Sequence, residues 1–453
     1  MLKFIPLGGA GEVGANCYYL NISGTGIILD CGIHPQKIGL EALPEFDLID
    51  DKPVDYVLIS HAHQDHLGAL PYLVKRHPYI KIISTPQTRA IAELTLHNSV
   101  SILKQQLKEE DKLEVYTHDE IDLLIQSIDY RAYDETFEIN GYNHNGTANI
   151  TATFYDAGHI LGSAGICIEY GSEKLFYTGD VNLDSQALLA GADFPDINTD
   201  TLIIETTYGG TDSSTLLSWS EESLRLAASI NKTIIDGGSV LIPVFSLGKM
   251  QELLTTIWNL MQKNKIIKTE IYTGGLADKI SRVYDYNRYV VNRIDHEFEI
   301  SSILRGDLYE IENVEKFFKN PCIVLAASGM MIEGTASYNL ARRWLKQNNS
   351  AIFAVGYMEE NTPGYKFANS KRGDKICLNG SDDEEVKCSI ERFRFTSHSR
   401  REGLLEIVKR LKPANVILVH GDSAGIDWMG SSIIKNFTGI KVFVAEKGKE
   451  IIL

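Results

Sequence analysis

Four side chains able to ligate a metal ion fall within six consecutive positions of this chain: His61, His63, Asp65 and His66, interrupted only by Ala62 and Gln64. Three of the twelve histidines lie in this one stretch, directly after the apolar run 54–60. Core packing seldom needs histidine, so the cluster points to chemistry. If 54–60 is a buried strand, the alternation beyond it turns His61 and His63 to one side. Asp65 and His66 then open a helix whose apolar positions are Leu67, Leu70, Leu73 and Val74. Two imidazoles serve one ion and the Asp65/His66 pair serves a second. Imidazole with carboxylate suits zinc or manganese, commonly with a position left for water. The competing reading, a polar loop whose histidines cap the helix, leaves the density of ligands unexplained.

The remaining ligands are sought where apolar strands end in short polar turns, the places where a rigid scaffold presents side chains. Residues 154–156 lead into Gly158, His159 and Ile160; 175–177 lead into Gly179 and Asp180; 416–419 lead into His420 and Gly421. One such residue alone is usually a turn residue. Three of them beside the 61–66 loop read as a single site. Asp180, with two oxygens, suits a bridge between two ions, and Asp30, ending the strand 27–29, suits a hydrogen bond that holds a ligand histidine from behind.

These residues need a layered scaffold. Residues 1–206 read as short apolar strands broken by Gly and Asn turns, with helices at 67–76 and 86–107, a layered α/β domain. The amphipathic stretch 218–231, a strand at 239–245 and a helix at 247–263 set a different rhythm, a second α/β domain over 207–373. The first pattern returns over 374–453: a strand at 386–395, a helix at 401–411, a strand at 416–420, and short strands at 441–445 and 450–453. The polar stretch 361–383 reads as a loop. Gly9, Gly11 and Gly14 satisfy GxGxxG after a strand. Yet 16–20 and 26–29 read as strands with a turn at 23–26, where a dinucleotide-binding turn requires a helix. A glycine turn that lets backbone pass close to the metal pocket is the better account.

At 453 residues, with 44% hydrophobic residues, the chain is long enough for two domains with substantial cores. No apolar run is long enough to cross a membrane, and 1–7 is strand-like without a signal-peptide layout, which gives a soluble, cytoplasmic expectation. The six cysteines form no CxxC pair and sit mostly in apolar sequence, as reduced buried thiols do. A net charge of −16 excludes diffuse attraction to nucleic acid, so such a substrate must be gripped locally. One basic patch is on offer: Arg392, Arg394, Arg400 and Arg401 around His398, with Lys371 and Arg372 upstream.

The motifs HAHQDH at 61–66, AGHILGSAG at 157–165 and TGD at 178–180 resemble the signatures of the metallo-β-lactamase fold hydrolases. Glu205 in IIETTYGG, the stretch GGSVLIPVFSLGKMQEL at 237–253, SGMMIEGT at 328–335, and the histidines in FTSHSRREG and LVHGD narrow this. Together they resemble the β-CASP branch, nucleases that include the pre-mRNA 3′-end cleavage endonuclease and bacterial ribonuclease J. The resemblance runs over nearly the whole chain. It implies an αββα sandwich built from 1–206 and 374–453, with an α/β β-CASP domain inserted at 207–373 as a lid over a cleft for single-stranded RNA. It implies His61, His63 and His159 as ligands of one zinc, Asp65, His66 and His420 as ligands of the other, and Asp180 as the bridge. Glu205 and His398 match the pair that protonates the leaving oxygen, and a histidine at position 420 accompanies RNA-cleaving members.

The function these features imply is a zinc-dependent ribonuclease, with manganese suiting the same ligands. A hydroxide activated by two metals would attack the phosphodiester, with Asp65, Glu205 and a cationic His398 as catalytic residues. Endonuclease action is expected, with 5′ exonuclease action open beside it. Ser328 and Gly329 are candidates to contact a phosphate through hydroxyl and backbone donors, and Arg400 through its charge. The partners expected are single-stranded RNA and a second copy of the chain, with no membrane. The family's GYQ followed by GTxGR is here Gly356, Tyr357, Met358, Glu359, Glu360, Asn361, Thr362, Pro363, Gly364, Tyr365, with tyrosine where the arginine is expected. The additional C-terminal domain of ribonuclease J has no counterpart, which gives a minimal two-domain form. Two rivals remain: a thioesterase-like small-molecule hydrolase, which would not need Glu205 and His398, and a non-catalytic subunit of an RNA-processing assembly, which would be expected to have lost its metal motifs; a DNA nuclease is a milder variant within the leading class.

Overall fold

Alternating burial along the strands sets the layers. The computed structural model describes residues 2–106, 113–311, 313–356, 358, 360, 362–378 and 383–453. The chain divides into two compact units: one of residues 1–184, 191–215 and 398–453, the other of 185–190 and 216–397.

The first unit holds two seven-stranded sheets. One runs, in spatial order, Ile451–Ile452, Leu2–Gly8, Cys17–Ile22, Thr25–Leu29, Tyr56–Leu58, Lys81–Ser84 and Ile128–Tyr130. The other runs Lys441–Val444, Asn415–Val419, Thr201–Glu205, Glu173–Tyr177, Ala164–Tyr170, Ile150–Asp156 and Thr136–Glu138. Successive side chains of a strand point to opposite faces, and the second sheet uses both. Ile166, Ile168, Leu175, Tyr177, Ile203 and Ile417 join Phe4, Leu20 and Leu58 of the first sheet in one core. Cys167, Phe176, Leu202, Ile204, Val416 and Leu418 face the other way and pack on Leu404, Ile407, Met429 and Ile433 of the helices Arg401–Leu411 and Ser423–Asn436. The helix Pro86–Gln106 packs on His118–Ser127 and on the edge strand Ile128–Tyr130 of the first sheet. The result is a sandwich of two sheets with helices outside, the αββα architecture expected from sequence.

In the second unit, six strands pair in parallel in the order Gly306–Asp307, Glu270–Thr273, Cys322–Ala326, Val240–Pro243, Ala351–Val355, Ser389–Phe393. Val240–Pro243, Cys322–Ala326 and Ala351–Val355 are buried throughout, as parallel strands covered on both faces are.

Several expectations are corrected. Residues 374–397, assigned from sequence to the second part of the sandwich, belong to the second unit, because Ser389–Phe393 continues its parallel sheet beside Ala351–Val355. Residues 185–190 also belong there, held by the Glu252 carboxylate, which accepts from the backbone N–H groups of Ala187, Leu188 and Leu189 at 2.7, 2.7 and 3.1 Å. Residues 207–215 stay with the first unit. The supposed loop 361–383 contains the helix Pro363–Ala368, started by Thr362 as N-cap and by proline in its first turn. The helix after the histidine loop is two helices, Gln64–Leu67 and Leu70–Arg76. As expected, the segment after the glycine turn is an antiparallel hairpin, Cys17–Ile22 with Thr25–Leu29, where a dinucleotide-binding turn requires a helix. No helix among the described residues is long and apolar enough to cross a membrane.

Candidate metal centre

The strand Tyr56–Leu58, flanked by Thr25–Leu29 and Lys81–Ser84, carries the chain to His61. The short helix Gln64–Leu67 that follows is clamped by backbone hydrogen bonds, Asn16 N to Asp65 O at 2.9 Å and Cys31 N to His66 O at 2.7 Å. Gly32 lies so close that a Cβ there would fall 1.7 Å from Asp65 O, so only glycine fits. In the second sheet, Glu173–Tyr177, Thr201–Glu205 and Asn415–Val419 are parallel, with Tyr177 opposite Ile203 and Glu205 opposite Val419. Asp180, Glu205 and His420 therefore emerge at the same edge. The backbone N–H of His420 donates to Gly9 O at 2.9 Å, which places the glycine turn against this residue. Gly9 has φ +69°, and a Cβ on it would sit 2.4 Å from the Tyr18 hydroxyl.

The seven residues expected as ligands converge in two sets. Nδ1 of His63 is 3.1 Å from Nε2 of both His61 and His159, and Oδ2 of Asp180 is 3.6 and 3.7 Å from those two nitrogens. In the second set, Nε2 of His66 lies 3.3 Å from Asp180 Oδ1 and 3.8 Å from Asp65 Oδ2, and Nε2 of His420 lies 3.4 Å from Asp65 Oδ2. Donors around a tetrahedral ion bound at about 2.1 Å stand about 3.4 Å apart, which both sets straddle. Three imidazole nitrogens converging with their lone pairs available suit a cation. Asp180 Oδ1 is buried without a well-aligned hydrogen bond, although His420 Nδ1 and His66 Nε2 stand 3.1 and 3.3 Å away. The donor set thus fits two ions sharing Asp180.

Electrostatics distinguish the two sets: the first holds neutral imidazoles, whereas in the second the buried carboxylates keep protons on His66 and His420 that an ion would displace. Burial holds His61 well below the usual imidazole range and lowers His63, so both are neutral donors. At His66 and His420 burial works in the same sense but is outweighed, by Asp180, Asp30 and Asp65 for the first and by Asp180 and Asp65 for the second, which is pushed up to about 10. Asp65 and Asp180 are held as carboxylates: their burial is overcome by His66 and His420 beside both, and for Asp180 by His398 as well.

Beside this centre stands a dyad. Both oxygens of Glu205 are 3.1 Å from Nδ1 of His398, and Glu205 is fixed by the N–H groups of Val181 at 2.8 Å and Thr207 at 3.3 Å. The His398 and His159 rings are 4.5 Å apart between centroids. Burial opposes a charge on His398, but the carboxylates of Glu205 and Asp180 raise its pKa.

The substrate-contact candidates fare differently. Ser328 and Gly329 follow the strand Cys322–Ala326 in the second unit, where the Ser328 hydroxyl accepts from Ile332 N at 3.2 Å and Gly329 packs on Phe245. Arg400 is the N-cap residue of the helix Arg401–Leu411, with Nε 3.7 Å from Asp184. Arg401 binds Asp212 at 2.7 Å and lies over Trp428, and Arg372 donates to Asn348 O, so these two members of the basic patch are committed to local contacts. Tyr357, Glu359 and Asn361 lie outside the described residues.

Four residues that sequence reasoning passed over support the centre. Asp30, expected behind a ligand, accepts from His66 Nδ1 at 2.8 Å, and it also takes hydrogen bonds from the Ser60 hydroxyl and the Tyr177 hydroxyl, both at 2.7 Å. Asn16 places its amide 3.0 Å from His66 Nε2, and Thr207 Oγ1 lies 3.1 Å from His420 Nδ1. The only signal for these four in the sequence is position: each stands within two residues of a motif already singled out.

The sandwich and its histidine–aspartate centre have the fold and donor set of the lactamase-type metallohydrolase class. Family models match in order: metallo-beta-lactamase superfamily over 10–228, Beta-Casp domain over 250–367, and Zn-dependent metallo-hydrolase RNA specificity domain over 383–445. The chain belongs to the metallo-β-lactamase superfamily, in the branch that carries a Beta-Casp domain. Among curated proteins it is 30% identical to cleavage and polyadenylation specificity factor subunit 3 of Dictyostelium discoideum, over 100% of this chain and 57% of that protein. It is 29% identical to endoribonuclease YSH1 of Yarrowia lipolytica, over 98% and 53%, and 31% identical to endoribonuclease ysh1 of Schizosaccharomyces pombe, over 98% and 57%. The chain spans a little over half the length of these relatives. It shares its fold with a crystal structure of a protein of unknown function from Enterococcus faecalis V583, at a TM-score of 0.59 and 12% identity with both chains fully covered.

Proposed function

We propose that the chain is a metal-dependent ribonuclease that cleaves single-stranded RNA, acting as an endonuclease. The observation that carries this reading is the Glu205–His398 dyad beside the Asp180 centre, because a phosphodiester has a poor leaving group and needs an acid that a thioester does not. The endoribonuclease names of the curated relatives support it.

His61, His63, His159 and Asp180 would hold one ion, and Asp65, His66, His420 and Asp180 the second; zinc is the ion we favour, with manganese suited to the same donors. Such a pair supplies an activated water and charge stabilisation for the phosphoryl oxygens. The chain's own residues do the rest. Asp65 and Asp180 keep the donor set anionic and fixed. Glu205 occupies Nδ1 of His398, which leaves Nε2–H as the proton for the leaving 3′ oxygen. The new P–O bond forms as the P–O3′ bond breaks, giving a 5′-phosphate and a 3′-hydroxyl. A 5′ exonucleolytic mode and a homodimer stand as further parts of the reading, as does a cytoplasmic location, supported by five buried cysteines outside any disulfide.

The test is incubation of metal-loaded protein with 5′-labelled single-stranded RNA and with DNA of the same sequence, using Asp65→Ala as control. Discrete fragments from RNA alone, absent in the variant, are expected; labelled mononucleotide would show exonuclease action. Failure of the metal-replete protein to cleave RNA would overturn the proposal.

A further inference from the structure

The backbone that runs into His398 is gripped by charged side chains where its sheet partner ends. Strand pairing in the second unit stops at Phe393, opposite Val355. Beyond that point three side chains take over the main chain. Arg225 Nη2 donates to Arg392 O, Glu222 Oε1 accepts from Arg394 N, and Lys249 Nζ donates to Phe395 O at 2.9 Å. These are costly groups to bury. Lys249 is 7% exposed and Glu222 3% exposed, and a buried charge without strong partners destabilises a fold by several kcal/mol.

The partners of these three leave few alternatives to a grip on the main chain. Lys249 lies over the Trp219 ring at 5.0 Å. Glu252, one turn along the same helix, is occupied by three backbone N–H groups. Arg225 pairs with Glu222 at 2.6 Å and lies 3.9 Å over the Phe393 ring, so the two form one rigid clamp. On the far side of His398, Ser399 N donates to Val181 O at 2.6 Å and Ser399 Oγ accepts from Leu183 N at 2.9 Å. His398 thus sits on a span whose main chain is fixed on either side.

We infer that Lys249, assisted by Glu222 and Arg225, is a positioning residue for His398: it fixes the path of the main chain three residues upstream, and so the place from which the imidazole delivers its proton. The inference rests on the reading of His398 as the acid. A small misplacement of a catalytic group costs a large part of its effect, so the loss should fall on the step that needs the proton.

The experiment compares Lys249→Met, Arg225→Met and His398→Ala with wild type on two substrates: RNA, whose 3′ oxygen needs a proton, and bis(4-nitrophenyl) phosphate, whose phenolate leaves without one. Lys249→Met is expected to lower kcat on RNA roughly 10- to 100-fold, with KM, metal content and turnover of the activated ester near wild type. Arg225→Met, at a half-buried position, is expected to show the same selectivity with a smaller loss, and it carries the test alone if Lys249→Met does not fold. Equal loss on both substrates, or none on RNA, in the folded variants overturns the positioning role. If His398→Ala itself loses both activities equally, the acid reading falls and this inference with it; if His398→Ala is selective and the others are not, only the inference falls.

Discussion

Replacement of Asp30 by asparagine isolates the support behind one ion. The carboxylate is fully buried, and its Oδ1 accepts from Ser60 N at 2.6 Å while Oδ2 accepts from Ser60 Oγ, Tyr177 Oη and His66 Nδ1 at 2.7, 2.7 and 2.8 Å. An amide must turn its NH2 toward one of these sides and so set donor against donor. The gentler orientation faces Ser60 N, leaving one buried donor unsatisfied at about 1–3 kcal/mol and weakening three charge-assisted bonds by about 1 kcal/mol each, so a loss of about 4–6 kcal/mol of stability follows. His66 also loses the anion that raises its basicity, which weakens metal binding by roughly 10- to 100-fold, about 1.4–2.7 kcal/mol. The loss should fall on the ion that His66 serves, because Asp30 bonds His66 directly and reaches His61 only through the Ser60 hydroxyl, which stands 3.0 Å from His61 Nδ1. Metal-free wild type and Asp30→Asn would be titrated with zinc against a chromophoric chelator, with thermal melts in parallel. One binding step weakened and the other unchanged is the expected result. Both steps within about twofold of wild type would refute the argument that Asp30 acts through His66.

Three further predictions concern other parts of the molecule. His398→Ala should lower kcat on RNA by roughly 10²- to 10⁴-fold, the usual worth of a general acid, while mass spectrometry finds the same bound metal; loss of metal instead would make His398 a ligand. Chelation should lower the melting temperature and readdition restore it, since an ion at about 100 times its Kd contributes about 2.7 kcal/mol; a melting curve of loaded protein that ignores EDTA would count against the centre. Burial raises Glu252 from 4.5 to about 7, against three backbone N–H groups and Lys249. A carboxyl raised in the folded state gives stability that is fully present below pH 4.5 and lost as pH rises through 7, at about 1.4 kcal/mol per unit. Glu252→Gln should therefore gain on wild type by up to about 3 kcal/mol between pH 4.5 and 7 in urea melts, and a pH-independent difference would contradict the burial argument.

The metal-ligating residues were legible because each stands where an apolar strand gives way to a polar turn, and local pattern registers that. Asp30 was legible for the same reason. Glu205 and His398 were found only through the resemblance, since a glutamate ending a strand and a histidine in a basic stretch have no local mark of pairing. Tyr177, Ser60, Asn16 and Thr207 escaped because their work arises from register between strands distant in sequence. The unit boundaries slipped for a related reason: Ser389–Phe393 has a period that fits either unit, and its choice is made by the neighbouring strand Ala351–Val355. The helix Pro363–Ala368 is hidden in a stretch whose polarity reads as loop; its local mark is Thr362 as N-cap followed by proline, which is a start.

The ligands come from both sides of the second unit in sequence, with His61 to Asp180 before it and His420 after it. At ribosomal rates of ~5–20 residues per second, His420 follows His66 by roughly 20 to 70 s. Once Asp180 is made, a nascent chain has every donor of the first set but lacks the residue that closes the second. A prematurely terminated product, or one clipped within the second unit and separated from its tail, is likewise short of a ligand. On this design the second donor set is completed only once the whole second unit has been made.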